Sequence, residues 1–127
     1  MTQFRIKRVY EPASPEDGFR VLVDRLWPRG MRREALRLDL WARELTPSDG
    51  LRRWYHADPE GRRKEFRRLY EAELHDSGAV RAFVLRVAEQ KVVTLLHASS
   101  QSAGSHVSVL REALLRAASE VPAGTGR

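Results

Sequence analysis

The chain has 127 residues, no cysteine and a formal net charge of +6. This length fits a single domain with a sizeable buried core, and the lack of cysteine excludes disulfides, thiolate nucleophiles and cysteine-ligated metal centres. No stretch approaches the roughly 20 apolar residues that span a membrane, and the N-terminus has no apolar signal segment. We therefore expect a cytoplasmic protein without a membrane partner.

The basic residues of the chain admit two interpretations. Of the 23 basic residues, all but Lys7, Lys64 and Lys91 are arginine. A surface rich in arginine favours phosphate or nucleic acid, because the guanidinium fork matches phosphate oxygens. The alternative is that the arginines only solvate helix faces. The second interpretation is favoured, since glutamates are interspersed among the arginines.

Two strands are predicted in the N-terminal part of the chain. Residues 4–10 mix β-branched, aromatic and basic side chains with rough alternation, which is typical of a half-buried strand. Residues 11–18 hold two prolines and an Asp-Gly pair and predict a loop. The apolar run 19–23 then predicts a second strand that is buried on both faces.

Helices are predicted for the middle of the chain. Apolar spacing over 36–45 predicts a helix that ends before Pro47. Ser48 is expected to cap a short helix that runs through Tyr55, because its hydroxyl can accept from an amide of the first turn.

A second helical stretch is predicted from Asp58, which is a suitable N-cap with Pro59 in the first helical position. Apolar residues recur at helical spacing as far as Leu74, and the opposite face carries arginines and glutamates. A third helical segment is predicted to start at Ser77.

The last strand is predicted over 91–97, followed by a serine-rich loop and a helix over 107–117. The first amides of a helix have no partner within the helix and carry a partial positive charge, so a strand-loop-helix order creates an anion site. The candidate donors there are Ser99, Ser100, Ser102, Ser105 and His106. The alternative is that Ser105 caps the helix and the other serines are solvated linker.

The alternation of strands and helices predicts an α/β fold. We expect a single compact domain over 1–120 and a flexible tail over 121–127. The sheet should be small and mainly parallel, with three or four strands and about five flanking helices, and α+β is the alternative class. If strands 19–23 and 91–97 are parallel neighbours, their ends lie at one edge of the sheet, where α/β proteins bind ligands.

Residues 23–30, which we call the corner, complete the candidate site. The residues proposed for ligand binding there are Asp24, Arg25, Trp27, Arg29 and Gly30. Arg29 is the strongest of these candidates because Pro28 and Gly30 hold it between a rigid and a permissive residue. A structural role is favoured for Trp27, as a core anchor, and for Asp24, as a partner of neighbouring charges.

One of the four histidines is a candidate for catalysis, and none is a candidate for metal binding. His106 is the weak candidate for a catalytic acid or base, because the ordinary pKa of histidine suits neutral pH. His56, His75 and His97 lack metal-ligand spacing and are expected to be structural or exposed. The sequence predicts neither a metal site nor a cofactor.

Several blocks of the chain resemble one known family. The blocks fall within 7–12, 17–30, 38–48 and 94–110, and the one from Asp17 to Gly30 is the most specific. They are similar to the YeaO-like family of uncharacterised bacterial proteins, domain of unknown function 488. The resemblance implies a compact α/β domain for which no activity, cofactor or substrate is established.

The chain departs from the family pattern after its last strand. Members of the family usually carry a tyrosine, a lysine, an acidic or amide residue and an asparagine at the positions of His97, Ser100, Gln101 and Ser105. Loss of the lysine removes a cation that could meet an anion. The departures therefore put in doubt whether this chain keeps the ligand of the family.

Three hypotheses on function stay open at this point. In the first, the corner and the serine-rich loop bind a small molecule that carries a phosphate or carboxylate. In the second, the arginine-rich stretch 59–74 and the pair Arg32 and Arg33 bind nucleic acid. In the third, the protein is an interaction module without a ligand. The sequence does not specify an oligomeric state.

Overall fold

The computed structural model describes residues 2–99 and 106–120. The predictions for Ser100, Ser102, Ser105 and the tail 121–127 lie outside the described residues. The elements in chain order are β1 (Gln3–Arg8), β2 (Phe19–Leu22), α1 (Arg33–Leu36), β3 (Leu40–Trp41), α2 (Asp49–Ala57), α3 (Arg63–Ser77), α4 (Ala79–Arg86), β4 (Val92–His97) and α5 (His106–Glu120). Short 3-10 helices lie at Pro15–Asp17 and Arg43–Leu45.

The strands form one parallel sheet of four strands in the order β1-β4-β2-β3. The central strand is β4, in which Leu95 pairs with Ile6 of β1 on one side and Val21 of β2 on the other. The predicted α/β class and the parallel pairing of the second and last predicted strands are confirmed. All four strands therefore end at one edge, which we call the carboxyl edge.

Apolar side chains cover both faces of the sheet. Val21 and Leu95 belong to the large core shared with helices α2 to α5. Leu22 and Leu96 point to the opposite face, where a smaller cluster includes Leu36 of α1. All four strand side chains are fully buried. The two-sided burial predicted for β2 is confirmed.

The predicted helix over 36–45 is wrong. Helix α1 ends at Leu36, because Arg37 adopts a left-handed backbone with φ of 50°. Leu40 and Trp41 instead form the edge strand β3 beside β2, and Ala42 N donates to Leu22 O at 2.9 Å. Backbone hydrogen bonds to a distant strand thus override the helical spacing of the apolar residues.

Of the two helix caps predicted from the sequence, one is confirmed. Ser48 caps α2, and its hydroxyl accepts from Leu51 N at 3.2 Å. Asp58 does not begin a helix, because its carboxylate accepts from Gly61 N at 3.2 Å and holds a turn between α2 and α3. Pro59 lies in that turn, and α3 begins only at Arg63.

A buried cluster of charges anchors the loop before β2. The Asp17 carboxylate accepts from Lys7 Nζ at 3.0 Å and Ser14 N at 2.9 Å, and it pairs with the buried guanidinium of Arg20. Burial raises the pKa of Asp17, but the hydrogen bonds from Lys7, Ser14 and Arg20 together outweigh it and lower the pKa below its usual value. The ionised form is therefore built into the fold.

Replacement of Asp17 by Asn should destabilise the protein by about 3 kcal/mol at neutral pH, because it leaves buried cations without their counter-ion. The lowered pKa of Asp17 means that its contribution is complete above the unfolded-state pKa of about 4 and is lost as the pH falls through the folded-state pKa. Denaturant unfolding between pH 7 and pH 2.5 should therefore show a shallower acid loss in Asp17→Asn than in the wild type. Asp76→Asn, at an exposed position of α3, is the control, and equal acid profiles for both variants would contradict the prediction.

Two glycines with positive φ allow backbone strain to be separated from steric overlap. A Cβ on Gly18, at φ of 64°, would lie 2.4 Å from Val92 O, whereas Gly30, at φ of 78°, faces open space. Gly30→Ala should lower the free energy of unfolding by about 1 kcal/mol through backbone strain alone. Gly18→Ala should cost at least twice as much, because the backbone of β4 has to shift. Denaturant unfolding measures both losses, and equal losses would argue against the overlap.

Candidate functional site

A cavity of about 600 Å³ opens at the carboxyl edge of the sheet. One wall is the corner that follows β2, and a second is formed by Ala98 and Ser99 after β4. The opposite wall comes from α2 and the segments that flank it. The cavity is thus built where the strands end and the helices begin, as in other parallel α/β sheets.

The structure brings most of the predicted site residues together. Six of them line the cavity: Asp24, Arg25, Trp27, Arg29, Ser99 and His106. Gly30 is exposed next to the cavity and gives the chain a positive φ after Arg29. The roles of these residues in binding stay predictions.

Asp24 fastens the cavity wall to its neighbours. Its Oδ2 accepts from Ala98 N at 2.8 Å, and its backbone carbonyl accepts from Trp41 Nε1 at 2.7 Å. Its Oδ1 lies 3.5 Å from His106 Nε2. Asp24 therefore has a structural role, but through uncharged groups rather than the charged partner that was expected, and its carboxylate also faces the cavity.

Arg25 connects the corner to the start of α2. Its Nε lies 2.8 Å from Asp49 Oδ1, and one terminal nitrogen donates to Thr46 Oγ1 at 3.3 Å and more weakly to Pro47 O at 3.4 Å. The carboxylate of Asp49 is exposed, so water screens this ion pair. Arg25 connects the two walls, and part of its guanidinium group faces the cavity.

Arg29 and Arg52 supply further cationic groups to the cavity. The guanidinium of the exposed Arg29 has no ion pair or hydrogen bond within residues 2–99 and 106–120. In that same part of the chain, the buried Nε of Arg52 finds no acceptor, and its terminal nitrogen is 3.9 Å from Asp49 Oδ1. Both side chains keep unused donors for a bound anion.

Trp27 acts as the predicted core anchor. Its indole packs edge-on against Trp41 with ring centroids 5.5 Å apart, and its Nε1 donates to Met31 O at 2.8 Å. The polar end of the indole is therefore satisfied within the protein. The ring also contributes apolar surface to the cavity.

An aromatic wall lies opposite the corner and was missed from the sequence. Tyr55 of α2 and Phe66 of α3 are stacked with ring centroids 4.2 Å apart, and both line the cavity together with His56. The spacing of Arg52, Tyr55 and His56 on one helical turn was the available signal. That spacing also fits a short helix that only packs on the core, so the spacing alone does not indicate a site.

His106 begins α5 at the bottom of the cavity. Its Nε2 lies 2.6 Å from Val23 O, so this nitrogen must carry the proton, because a carbonyl can only accept. Burial lowers the pKa of His106, against the hydrogen bond to Val23 and the charge of Asp24, which raise it. His106 is therefore mainly neutral at pH 7, with Nε2 as a donor to the backbone.

His97 is a buried residue, as its expected structural role requires. It is 1% exposed at the end of β4, and no atom among the described residues accepts from or donates to its Nδ1. Burial lowers its pKa, and the charges of Arg8 and His106 act in the same direction against Asp24. The fold therefore favours neutral His97.

Two of the four basic residues of α3 pair with carboxylates. Arg67 pairs with Glu112 and lies 3.9 Å from Glu71, and Arg68 pairs with Glu65. These ion pairs favour the interpretation that the charges solvate helix faces. Nucleic-acid binding by this surface stays a prediction, and the pairing of its charges weakens it.

Two negative findings apply to the described part of the chain. Within it, no helix is both long enough and apolar enough to cross a membrane. No group of three or more histidine, aspartate or glutamate side chains in residues 2–99 and 106–120 is arranged to hold a metal ion.

The structure is that of a single-domain α/β protein with a cavity at the carboxyl edge of a parallel sheet. The chain belongs to the DUF488-N3i family, described as the inactive DUF488-N3 subclade, whose model matches residues 3–125. Its resemblance to YeaO-like proteins is thereby confirmed.

Relatives of the chain cover most of its length. An uncharacterised protein of Mycobacterium tuberculosis is 45% identical over 113 residues, which are 89% of this chain and 94% of that protein. The uncharacterised protein YeaO of Escherichia coli is 40% identical over 106 residues, which are 84% of this chain and 91% of YeaO. No solved structure matches the chain significantly.

The buried histidine of β4 should make the protein sensitive to mild acid. The lowered pKa of His97 means that the fold is fully stable above the unfolded-state pKa of about 6.5 and loses stability as the pH falls below it. His97→Leu, which also removes the unpartnered Nδ1, should therefore lose less stability than the wild type between pH 7.5 and pH 5. Denaturant unfolding at both pH values measures this. His75→Leu, at an exposed position of α3, should keep the wild-type acid loss, and a wild-type loss in His97→Leu would refute the prediction.

Proposed function

We propose that the protein binds a small anionic ligand, bearing a phosphate or carboxylate group, in the cavity at the carboxyl edge. The observation that carries this proposal is the presence of Arg25, Arg29 and Arg52 around one cavity. Arg29 and the Nε of Arg52 have donors without acceptors within residues 2–99 and 106–120. An anion would accept from the exposed guanidinium of Arg29 and from the terminal nitrogens of Arg52, whereas the buried Nε of Arg52 has no surface open to a ligand.

The charge balance inside the cavity favours an anion. Among the described residues, three arginines and one carboxylate, that of Asp24, line the cavity, and Asp49 outside the lining pairs with Arg25 and lies 3.9 Å from Arg52. His106 adds no negative charge in either protonation state. The remaining positive charge attracts anions most strongly where water is partly excluded, as between the walls of a cavity.

The dimensions of the cavity also support binding of a small molecule. Its volume of about 600 Å³ falls within the usual range for ligand sites. Its lining combines aromatic and proline surface with a few charged groups, which is the composition typical of such sites. A rigid sheet edge on one side and the start of α2 on the other keep the lining preformed.

Two observations favour binding without turnover. The only catalytic candidate, His106, donates its Nε2 proton to Val23 O and is held neutral by burial. The Nε2 proton is therefore held by the backbone and is not available to a ligand, and only Nδ1 keeps a lone pair. The family that contains the chain is described as an inactive subclade, which agrees with a role as a binding protein.

Thermal shift with inorganic phosphate, sugar phosphates, nucleotides and small carboxylates tests the proposal. We expect at least one anion to raise the melting temperature in a saturable manner, since a ligand that binds only the folded state stabilises it. Arg29→Ala and Arg52→Ala should each weaken binding about tenfold or more, because charge-assisted hydrogen bonds are lost.

The control for these variants is Arg53→Ala. Arg53 is exposed on the same helix as Arg52 and does not line the cavity. It changes the net charge by the same amount and should leave the affinity unchanged at moderate salt. The proposal fails if none of the anions stabilises the protein, or if Arg53→Ala weakens binding as much as the two cavity variants do.

A further inference from the structure

We infer that the ligand of this cavity is a nucleotide, in which a flat base, a hydroxylated sugar and a phosphate bind to three different parts of the lining. The inference rests on the proposed function and specifies its ligand class. It follows from the presence of aromatic, acceptor and cationic side chains in the lining of one cavity.

The aromatic wall is the part that an inorganic anion would leave unused. Tyr55 is half-buried and stacks on Phe66, and Pro47 and Pro59 also line the cavity. Flat aromatic bases pack well on such surfaces, because stacking does not require particular hydrogen bonds. A sugar phosphate alone would leave this apolar surface in water.

Asp24 provides an acceptor in the same cavity. Its Oδ2 is satisfied by Ala98 N, whereas its Oδ1 has His106 Nε2 at 3.5 Å, and that nitrogen is closer to Val23 O, at 2.6 Å. An ionised carboxylate only accepts hydrogen bonds. Oδ1 therefore suits a ligand group that donates, such as a sugar hydroxyl, and repels a second phosphate.

The cationic side completes the arrangement. Arg25 belongs to the same chain segment as Asp24, and Arg29 follows four residues later, so the phosphate site adjoins the acceptor. The cavity, at about 600 Å³, is far larger than a phosphate ion needs. A ligand that carries an anion, a flat ring and hydroxyl groups matches all three kinds of lining group.

Calorimetry on the full chain tests the inference with four probes: inorganic phosphate, ribose 5-phosphate, adenosine and adenosine 5′-monophosphate. The nucleotide should bind at least tenfold more tightly than ribose 5-phosphate, and it should also bind more tightly than adenosine. Uridine 5′-monophosphate in a parallel titration shows whether a smaller ring is accepted; binding of either nucleotide with this preference supports the inference.

Variants of α2 locate the base. Tyr55→Leu should abolish the preference for the nucleotide and leave the affinity for ribose 5-phosphate unchanged, whereas Tyr55→Phe should keep the preference. Trp54→Leu is the matched control, because Trp54 precedes Tyr55 on the same helix and does not line the cavity. Circular dichroism confirms folding of each variant, and Tyr55→Met, which also removes the aromatic ring, replaces Tyr55→Leu if that variant does not fold.

The outcomes separate this inference from the proposed function. If ribose 5-phosphate binds as tightly as both nucleotides, the nucleotide class is overturned while anion binding stands. If adenosine binds as tightly as its monophosphate, the anion site itself is refuted. If neither phosphate compound nor inorganic phosphate binds at low salt, both the inference and the proposed function fail.

Discussion

The hydrogen bonds of Asp24 are the interaction on which the carboxyl edge depends. Where two parallel strands end, the amides beyond the last ladder bond have no partner, and leaving them buried is costly. Asp24 supplies that partner, because its Oδ2 accepts from Ala98 N just after β4 and its carbonyl accepts from Trp41 Nε1 of β3. With Val23 O also accepting from His106, two consecutive residues hold three strands and the start of α5 in one arrangement.

The parts of the fold that were predictable are those whose signal is local. The apolar runs of β2 and β4 and the Ser48 cap of α2 are specified by neighbouring residues, and the structure confirms them. The segment 36–45 was misread because four apolar residues at helical spacing also fit a turn and a short strand. Backbone bonds to β2, with Arg37 in a left-handed conformation, decide the outcome, and neither is visible in the apolar pattern.

The candidate site divides in the same way. The corner could be identified from the sequence because Asp24, Arg25 and Arg29 follow closely after a buried strand. Arg52 and Tyr55 were not, because they reach the cavity only through the packing of α2 across the sheet edge. The sequence also left the partner of Arg25 open, and the structure assigns it to Asp49 at the start of that helix. Thus the part of the site that lies in one segment was predictable, and the part contributed by α2 was not. Which arginines already have partners is known only from the structure.

The strand order has a consequence for how the chain folds. The first strand, β1, has β4 as its partner in the sheet, so Gln3 meets Val92 across nearly the whole length of the domain. Closing so long a loop costs entropy that local contacts do not repay, which slows folding. β2 also needs β4, since its other neighbour, β3, is only two residues long. During synthesis on the ribosome, the sheet therefore cannot form until β4 has emerged. Until then, the apolar side chains of the N-terminal half have no complete sheet to pack against.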